Sequence, residues 1–247
     1  MNILVTNDDG VFAPGIKYLV HELENAGYNV VVFAPHRECS GKSHSNRLKE
    51  KIIVKEESIE GVRGKVYSVT GTPTDCVRIA KEILDEDFDL VVSGCNFGLN
   101  AGMDIHYSGT VSAAMEGNLF GKSAIAISAL VNKGEVIFET AVKSCVDVLK
   151  KYEDYLLNNV TVFNINAPCV KYEDLKGIKF CKAANSALDN YSITFSDEDT
   201  EIILKGRKII DHEEDTDRYY LQEGYATVTP LIYDLSDEKI INEINKK

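Results

Sequence analysis

The chain has 247 residues, 44% of them apolar and 27% charged, with a formal net charge of −12. That length and composition fit one large α/β domain or a core with a smaller appendage, and they exclude disorder as the default state. The acid excess excludes a broad surface for duplex nucleic acid, which needs Lys and Arg to neutralise phosphates, but a small phosphorylated ligand can still be held by a metal and backbone amides.

In chain order, residues 3–6 read as a short buried strand and residues 15–26 as an amphipathic helix carrying Ile16, Leu19, Val20 and Leu23, closed by Gly27. Residues 29–34 are a β-branched and aromatic run, after which Pro35 opens a polar loop to Asn46. Residues 51–55 and 65–70 predict two strands, paired as a hairpin. Thr72-Pro73 marks a capped helix start, followed by the buried strand 89–93 and a glycine-rich loop. Ser108 or Thr110 starts a helix to about Phe120; strand 123–129, helix 135–151 and strand 160–165 follow. This alternation predicts an α/β fold with a doubly wound, mostly parallel, Rossmann-like sheet over 1–175. Residues 176–247 change to shorter strand-like pieces at 178–183, 192–195, 201–204 and 226–230, with a terminal helix at 236–245. They read as a β-hairpin-rich appendage. The acidic clusters 196–201 and 211–217 read as solvated turns, not as a second metal site.

No apolar run reaches membrane-spanning length, and the start shows no charged segment followed by an apolar signal region, so the expectation is a cytoplasmic protein. The six cysteines are dispersed without a CxxC pair, which argues against a disulfide framework or a zinc ribbon.

The chemistry is expected in three loops that follow strands, because ligands of open α/β sheets bind beyond the carboxyl ends of the strands. The first carries Asn7, Asp8 and Asp9. Adjacent carboxylates repel unless a cation or a shared proton compensates them, and oxygen donors suit Mg²⁺, Mn²⁺ or Ca²⁺. Either acid can equally cap the next helix. The second loop carries Ser40 and Gly41, readable as a hydroxyl and amides beside an ion or as an ordinary polar turn. In the third, Gly94, Gly98 and Gly102 allow close backbone approach while Asn96 and Asn100 offer neutral polar groups. It runs into Ser108-Gly109-Thr110, a helix start suited to phosphate or simply a capped helix. His44 and His106 lie in these loops and can assist a leaving group or serve as structural hydrogen-bonding residues. No phosphate-loop lysine motif, G-x-G-x-x-G, G-x-S-x-G or HExxH pattern occurs where it would be needed.

The segments VTNDDGVFAPGI, APHRECSGKSHS, TGTPTDCV, VVSGCNFGLNAGMDIHYSGTVSAAMEG and GYATVTPL together resemble the SurE family of survival-protein phosphatases, or 5′-nucleotidases, over residues 2 to about 232. The resemblance implies a divalent-metal-dependent phosphomonoesterase for nucleoside monophosphates, with 3′-nucleotides and short polyphosphate as further substrates. It implies one Mg or Mn ion per subunit on Asp8, Asp9, Ser40 and Asn96, with phosphate near Asn96, Ser108, Gly109 and Thr110. Asp8 and Asp9 are the expected catalytic residues. It also implies a homodimer or homotetramer using C-terminal hairpins. His36 stands where the family often has Asp, and Cys39 and Cys95 precede the matched Ser40 and Asn96; none of these removes a ligand. Two other readings compete: a nonenzymatic nucleotide or phosphate sensor with the same pocket, and an aspartate-nucleophile phosphatase, whose DxDxT spacing differs from Asn7-Asp8-Asp9-Gly10.

Overall fold

Ile3, Leu4 and Val5 are fully buried, as a parallel strand covered by helices on both faces requires. In this computed structural model the described residues are all but 86, 186–188, 196–199, 208–212 and 246–247, and for 189–191 and 204–207 only the backbone is described. The strand β1 (Asn2–Thr6) feeds α1 (Pro14–Asn25) and β2 (Asn29–Pro35); the hairpin β3 (Val54–Glu57) and β4 (Val66–Val69) precedes α2 (Pro73–Ile83) and β5 (Leu90–Phe97). A 3-10 segment at Gly102–Tyr107 leads into α3 (Gly109–Leu119) and β6 (Ser123–Ala129). After the small hairpin β7 (Val131–Asn132) and β8 (Glu135–Val136), α4 (Phe138–Asn158) returns the chain to β9 (Val162–Ala167). A second 3-10 segment at Tyr172–Asp174 precedes β10 (Ile178–Phe180), β11 (Asp189–Phe195), β12 (Thr200–Arg207), α5 (Asp217–Gln222), β13 (Ala226–Leu231) and α6 (Glu238–Asn245).

The main sheet runs β10-β13-β9-β6-β5-β1-β2-β4-β3. From β4 to β9 all neighbours are parallel, so the fold is the expected α/β sheet of mostly parallel strands. The chain winds outward from β1 through β2 in one direction and from β5 through β6 and β9 in the other. The β1/β5 seam is therefore a topological switch point, where the crevice for a ligand opens. Two apolar layers fill the faces: Ile16, Leu19, Val142 and Leu149 of α1 and α4 on one side, and Val77, Ala80, Val111 and Ala114 of α2 and α3 on the other.

Several boundaries differ from the sequence expectation. The helix expected over 135–151 begins at Phe138 and reaches Asn158; Gly134, at φ 85°, closes the turn that puts Glu135 and Val136 in a strand instead. The hairpin strand expected at 51–55 lies at Val54–Glu57, and the strand expected at 178–183 stops at Phe180. Past residue 175 the chain divides its strands: β10 and β13 extend the main sheet, while β11 and β12 form a separate antiparallel pair. Most of the acidic turn 196–201, and residues 211 and 212, lie outside the described residues. No helix of the described residues is long and apolar enough to cross a membrane.

Candidate active site

Three loops at the carboxyl ends of β1, β2 and β5 meet as predicted. Asn7 shapes the first: its side-chain amide donates to the Gly10 carbonyl at 2.9 Å and its oxygen accepts from the Gly10 amide at 3.2 Å. Gly10 needs its positive φ of 106°, and a Cβ there would approach the Arg37 backbone to 3.3 Å, so first and second loops are pressed together. The Cys39 amide donates to the Asp8 carbonyl at 2.7 Å, fixing Ser40 next to the acid pair.

Asp8 is 3% exposed. The Thr110 hydroxyl donates to its Oδ1, and Gly109 gives it room, since a Cβ at 109 would sit 3.0 Å from the Asp8 Cβ and 3.1 Å from Oδ2. Burial raises the Asp8 pKa above the usual carboxylate range, opposed by hydrogen bonds from the Thr110 hydroxyl and from the backbones of Asp8 and Thr110. The start of α3 is thus directed in part at a carboxylate of the protein itself, and Thr110 is the residue that holds it. Asp9 accepts from the Phe97 amide at 3.0 Å through Oδ2. Burial raises its pKa to about 6, with the Phe97 hydrogen bond opposing and the negative charges of Asp8 and Glu38 adding to the rise.

On the third loop, Asn96 is 9% exposed and donates through Nδ2 to the Gly98 carbonyl at 2.8 Å, which turns its amide oxygen the other way. Ser108 caps α3 by accepting from the Val111 amide at 3.0 Å. The loop between them is fastened to the sheet through Asn100: its amide donates to Asn166 Oδ1 and its Nδ2 to Ser128 Oγ, while its carbonyl accepts from Asn164 and Asn166. Asp8, Ser40, Asn96 and Ser108 line one cavity of about 460 Å³, together with Asn100, Asp104, Tyr107 and Arg218. Asp9 is tied to its rim through Phe97.

Asp8, Asp9, Ser40 and Asn96 form an all-oxygen donor set suited to a hard divalent cation. The buried Asp8 and the partly buried Asp9 have raised pKa values and no ion-pair partner among the described residues, which is the electrostatic situation a cation relieves. Ser40 donates its hydroxyl proton to Glu38 at 2.9 Å, leaving oxygen lone pairs to accept. Among the described residues no group of three or more His, Cys, Asp or Glu side chains gathers as a metal cluster, here or elsewhere.

His44 is held by a carboxylate. His44 Nε2 lies 2.7 Å from Glu116 Oε2, a buried carboxylate also held by Arg78 at 2.8 Å. His44 and His106 line a neighbouring apolar groove instead of the acid-lined cavity. Three contributors escaped the sequence reading. Glu38 lies two residues from Ser40, Asp217 ends the expected solvated turn and Arg218 follows it. Asp217 is fully buried because it accepts the amides of Gly102 at 2.7 Å and Ala184 at 2.9 Å, and Arg218 reaches the cavity behind it. Thr216, whose hydroxyl caps α5, was the available signal: a Thr-Asp pair marks a helix start as readily as a loop.

Residues 3–190 match the family model described as "Survival protein SurE". Proteins named 5′-nucleotidase SurE are similar along the whole chain. The one from Clostridium beijerinckii is 42% identical, covering 100% of this chain and 98% of its own. That from Clostridium tetani is 38% identical, covering 99% of each. The crystal structure of the SurE protein from Aquifex aeolicus superposes with a TM-score of 0.86 at 36% identity, covering 100% of this chain and 99% of that one.

Proposed function

Because this chain belongs to the SurE family, we propose that it is a divalent-metal-dependent phosphomonoesterase that hydrolyses nucleoside 5′-monophosphates to nucleoside and phosphate. The observation that carries the reading is the convergence of the buried Asp8, the Ser40 hydroxyl, the Asn96 amide and the capped start of α3 on one cavity, with Asp9 beside its rim. The ion, Mg²⁺ or Mn²⁺, is held by Asp8, Asp9, Ser40 and Asn96. When bound, it neutralises phosphate charge and polarises the phosphoryl group.

The chain's own residues do the remainder. Asp8 is oriented by Thr110 and Asp9 by the Phe97 amide. The proton of the attacking water passes to a carboxylate of this pair. Asn96 and the Ser108-Gly109 helix start bind and orient the phosphate, with the positive end of α3 favouring its charge, while Thr110 acts through Asp8. 3′-Nucleotides and short polyphosphate belong to the same reading, since they offer the same terminal phosphate. So does a homodimer or homotetramer, supported by the exposed Phe195, Ile202 and Ile203 of the β11-β12 hairpin and by Ile240, Ile241 and Ile244 of α6.

Phosphate release from AMP, measured across Mg²⁺, Mn²⁺ and Ca²⁺, tests the activity. Asp8→Asn keeps the far-ultraviolet circular dichroism spectrum and loses at least about a hundredfold in turnover, because it removes an anionic ligand and not only its orientation. Metal-dependent turnover at the wild-type level in Asp8→Asn refutes the assignment. Nucleotide binding without any phosphate release refutes the enzymatic reading in favour of a sensor.

A further inference from the structure

Arg218 is the one Lys or Arg among the described residues that line the cavity, whose acidic walls include Asp8 and Asp104. It is 9% exposed, and its guanidinium is fixed: Nη2 donates to the Ala101 carbonyl at 2.9 Å and to Asp104 Oδ2 at 2.7 Å. Gly102 makes this packing possible, because a Cβ there would come within 2.8 Å of Arg218 Nε. Nε is buried without a hydrogen-bond partner. Nη1 likewise has none among the described residues.

Two features indicate what such a group recognises. Its contacts lie on Ala101 and Asp104, in the chain before Ser108, whereas Asp8 is held from Thr110 beyond it. A phosphate held at Asn96 and Ser108 lies in the same cavity as Arg218, which is left to the remainder of the ester. The ion pair with Asp104 also compensates the arginine's charge locally, so the Nη1 donor suits a neutral acceptor better than a second phosphate.

We infer that Arg218 is a specificity-determining, substrate-binding residue that donates hydrogen bonds to the nucleoside part of the substrate, separating nucleotides from simple phosphate esters. The inference rests on the phosphomonoesterase reading and assigns the other end of the same cavity.

Steady-state kinetics of the metal-loaded protein with AMP and with p-nitrophenyl phosphate test it. Arg218→Met raises KM for AMP about tenfold, the usual loss for one charge-assisted hydrogen bond, with kcat within about twofold. KM for p-nitrophenyl phosphate stays at the wild-type value, and Arg218→Lys recovers part of the AMP loss. Equal losses on both esters show that Arg218 only holds the loop or touches the phosphate, and overturn the inference. So does an unchanged KM for AMP. If wild type releases phosphate from neither ester, the activity reading fails instead. Calorimetry then decides the inference: Arg218→Met must weaken AMP binding while leaving inorganic phosphate binding intact, and equal AMP affinity overturns it.

Discussion

Replacing Thr110 with Val isolates the hydrogen bond that holds the Asp8 carboxylate. The two side chains have nearly the same shape, Thr110 is fully buried, and its hydroxyl donates to Asp8 Oδ1. A hydrogen bond to a charged group contributes about 1.5–3 kcal/mol, and deleting the donor leaves a buried carboxylate short of one partner. The Thr110 backbone also supports Asp8, so the lower end, about 1.5 kcal/mol, is expected for metal-free protein at pH 8. The loss shrinks toward pH 5, because Asp8 has a raised pKa and the hydroxyl stabilises the ionised form that acid removes. Freed from Thr110, the carboxylate also loses its orientation, and affinity for Mn²⁺ falls by about tenfold. Urea unfolding in a chelator at pH 8 and pH 5 measures the first effect, and a Mn²⁺ titration followed by thermal shift measures the second. A variant with wild-type stability at pH 8 and an unchanged Mn²⁺ midpoint refutes the reasoning.

The Asp9 carboxyl, raised by burial to about 6, binds its proton more tightly folded than unfolded between about pH 4 and pH 6. The metal-free protein therefore becomes less stable as pH rises through that window, by about 1–2 kcal/mol once partial solvent screening is allowed for. Urea midpoints taken in a chelator from pH 4 to pH 7 read this term against the same series with Mn²⁺ present, which offsets it; no difference between the series counts against it. Gly15→Ala places a Cβ 2.0 Å from the Cys95 carbonyl oxygen, where α1 crosses β5. A cost of about 3 kcal/mol is expected from such overpacking, visible as a lowered thermal midpoint, and a wild-type midpoint would exclude the close contact.

The core was legible where local chemistry and packing agree. Residues 3–5 and 90–92 are apolar runs with no polar face, and they became the central parallel strands. Thr72 and Ser108 are capping side chains whose helices start where a cap predicts. α3 shows the strength of that signal, since its Ala, Gly and Ser residues are buried on several sides and present no clean apolar stripe. Asp8 and Ser40 follow strands and Asn96 lies near the end of one, all at the same end of the parallel sheet, so their meeting with Ser108 at one cavity was legible. The Asp217-Arg218 pair was not. Its acids resemble a solvated turn until Gly102 and Ala184 supply amides from a distant part of the chain, and no spacing rule encodes that meeting. Glu135 and Val136 were misassigned for a local reason: their side chains continue the helical period, but Gly134 has already turned the backbone into a hairpin.

The four hydrogen bonds made by Asn100 to Ser128, Asn164 and Asn166 bind a glycine-rich loop to the interior of the sheet. Loops of this composition ordinarily lose much of their freedom when a ligand arrives, and that lost entropy weakens binding. Here the ordering is completed during folding, so successive substrates meet walls already in place. Sequence changes at Ser128, Asn164 or Asn166, none of which lines the cavity, would return that entropic cost to the binding step.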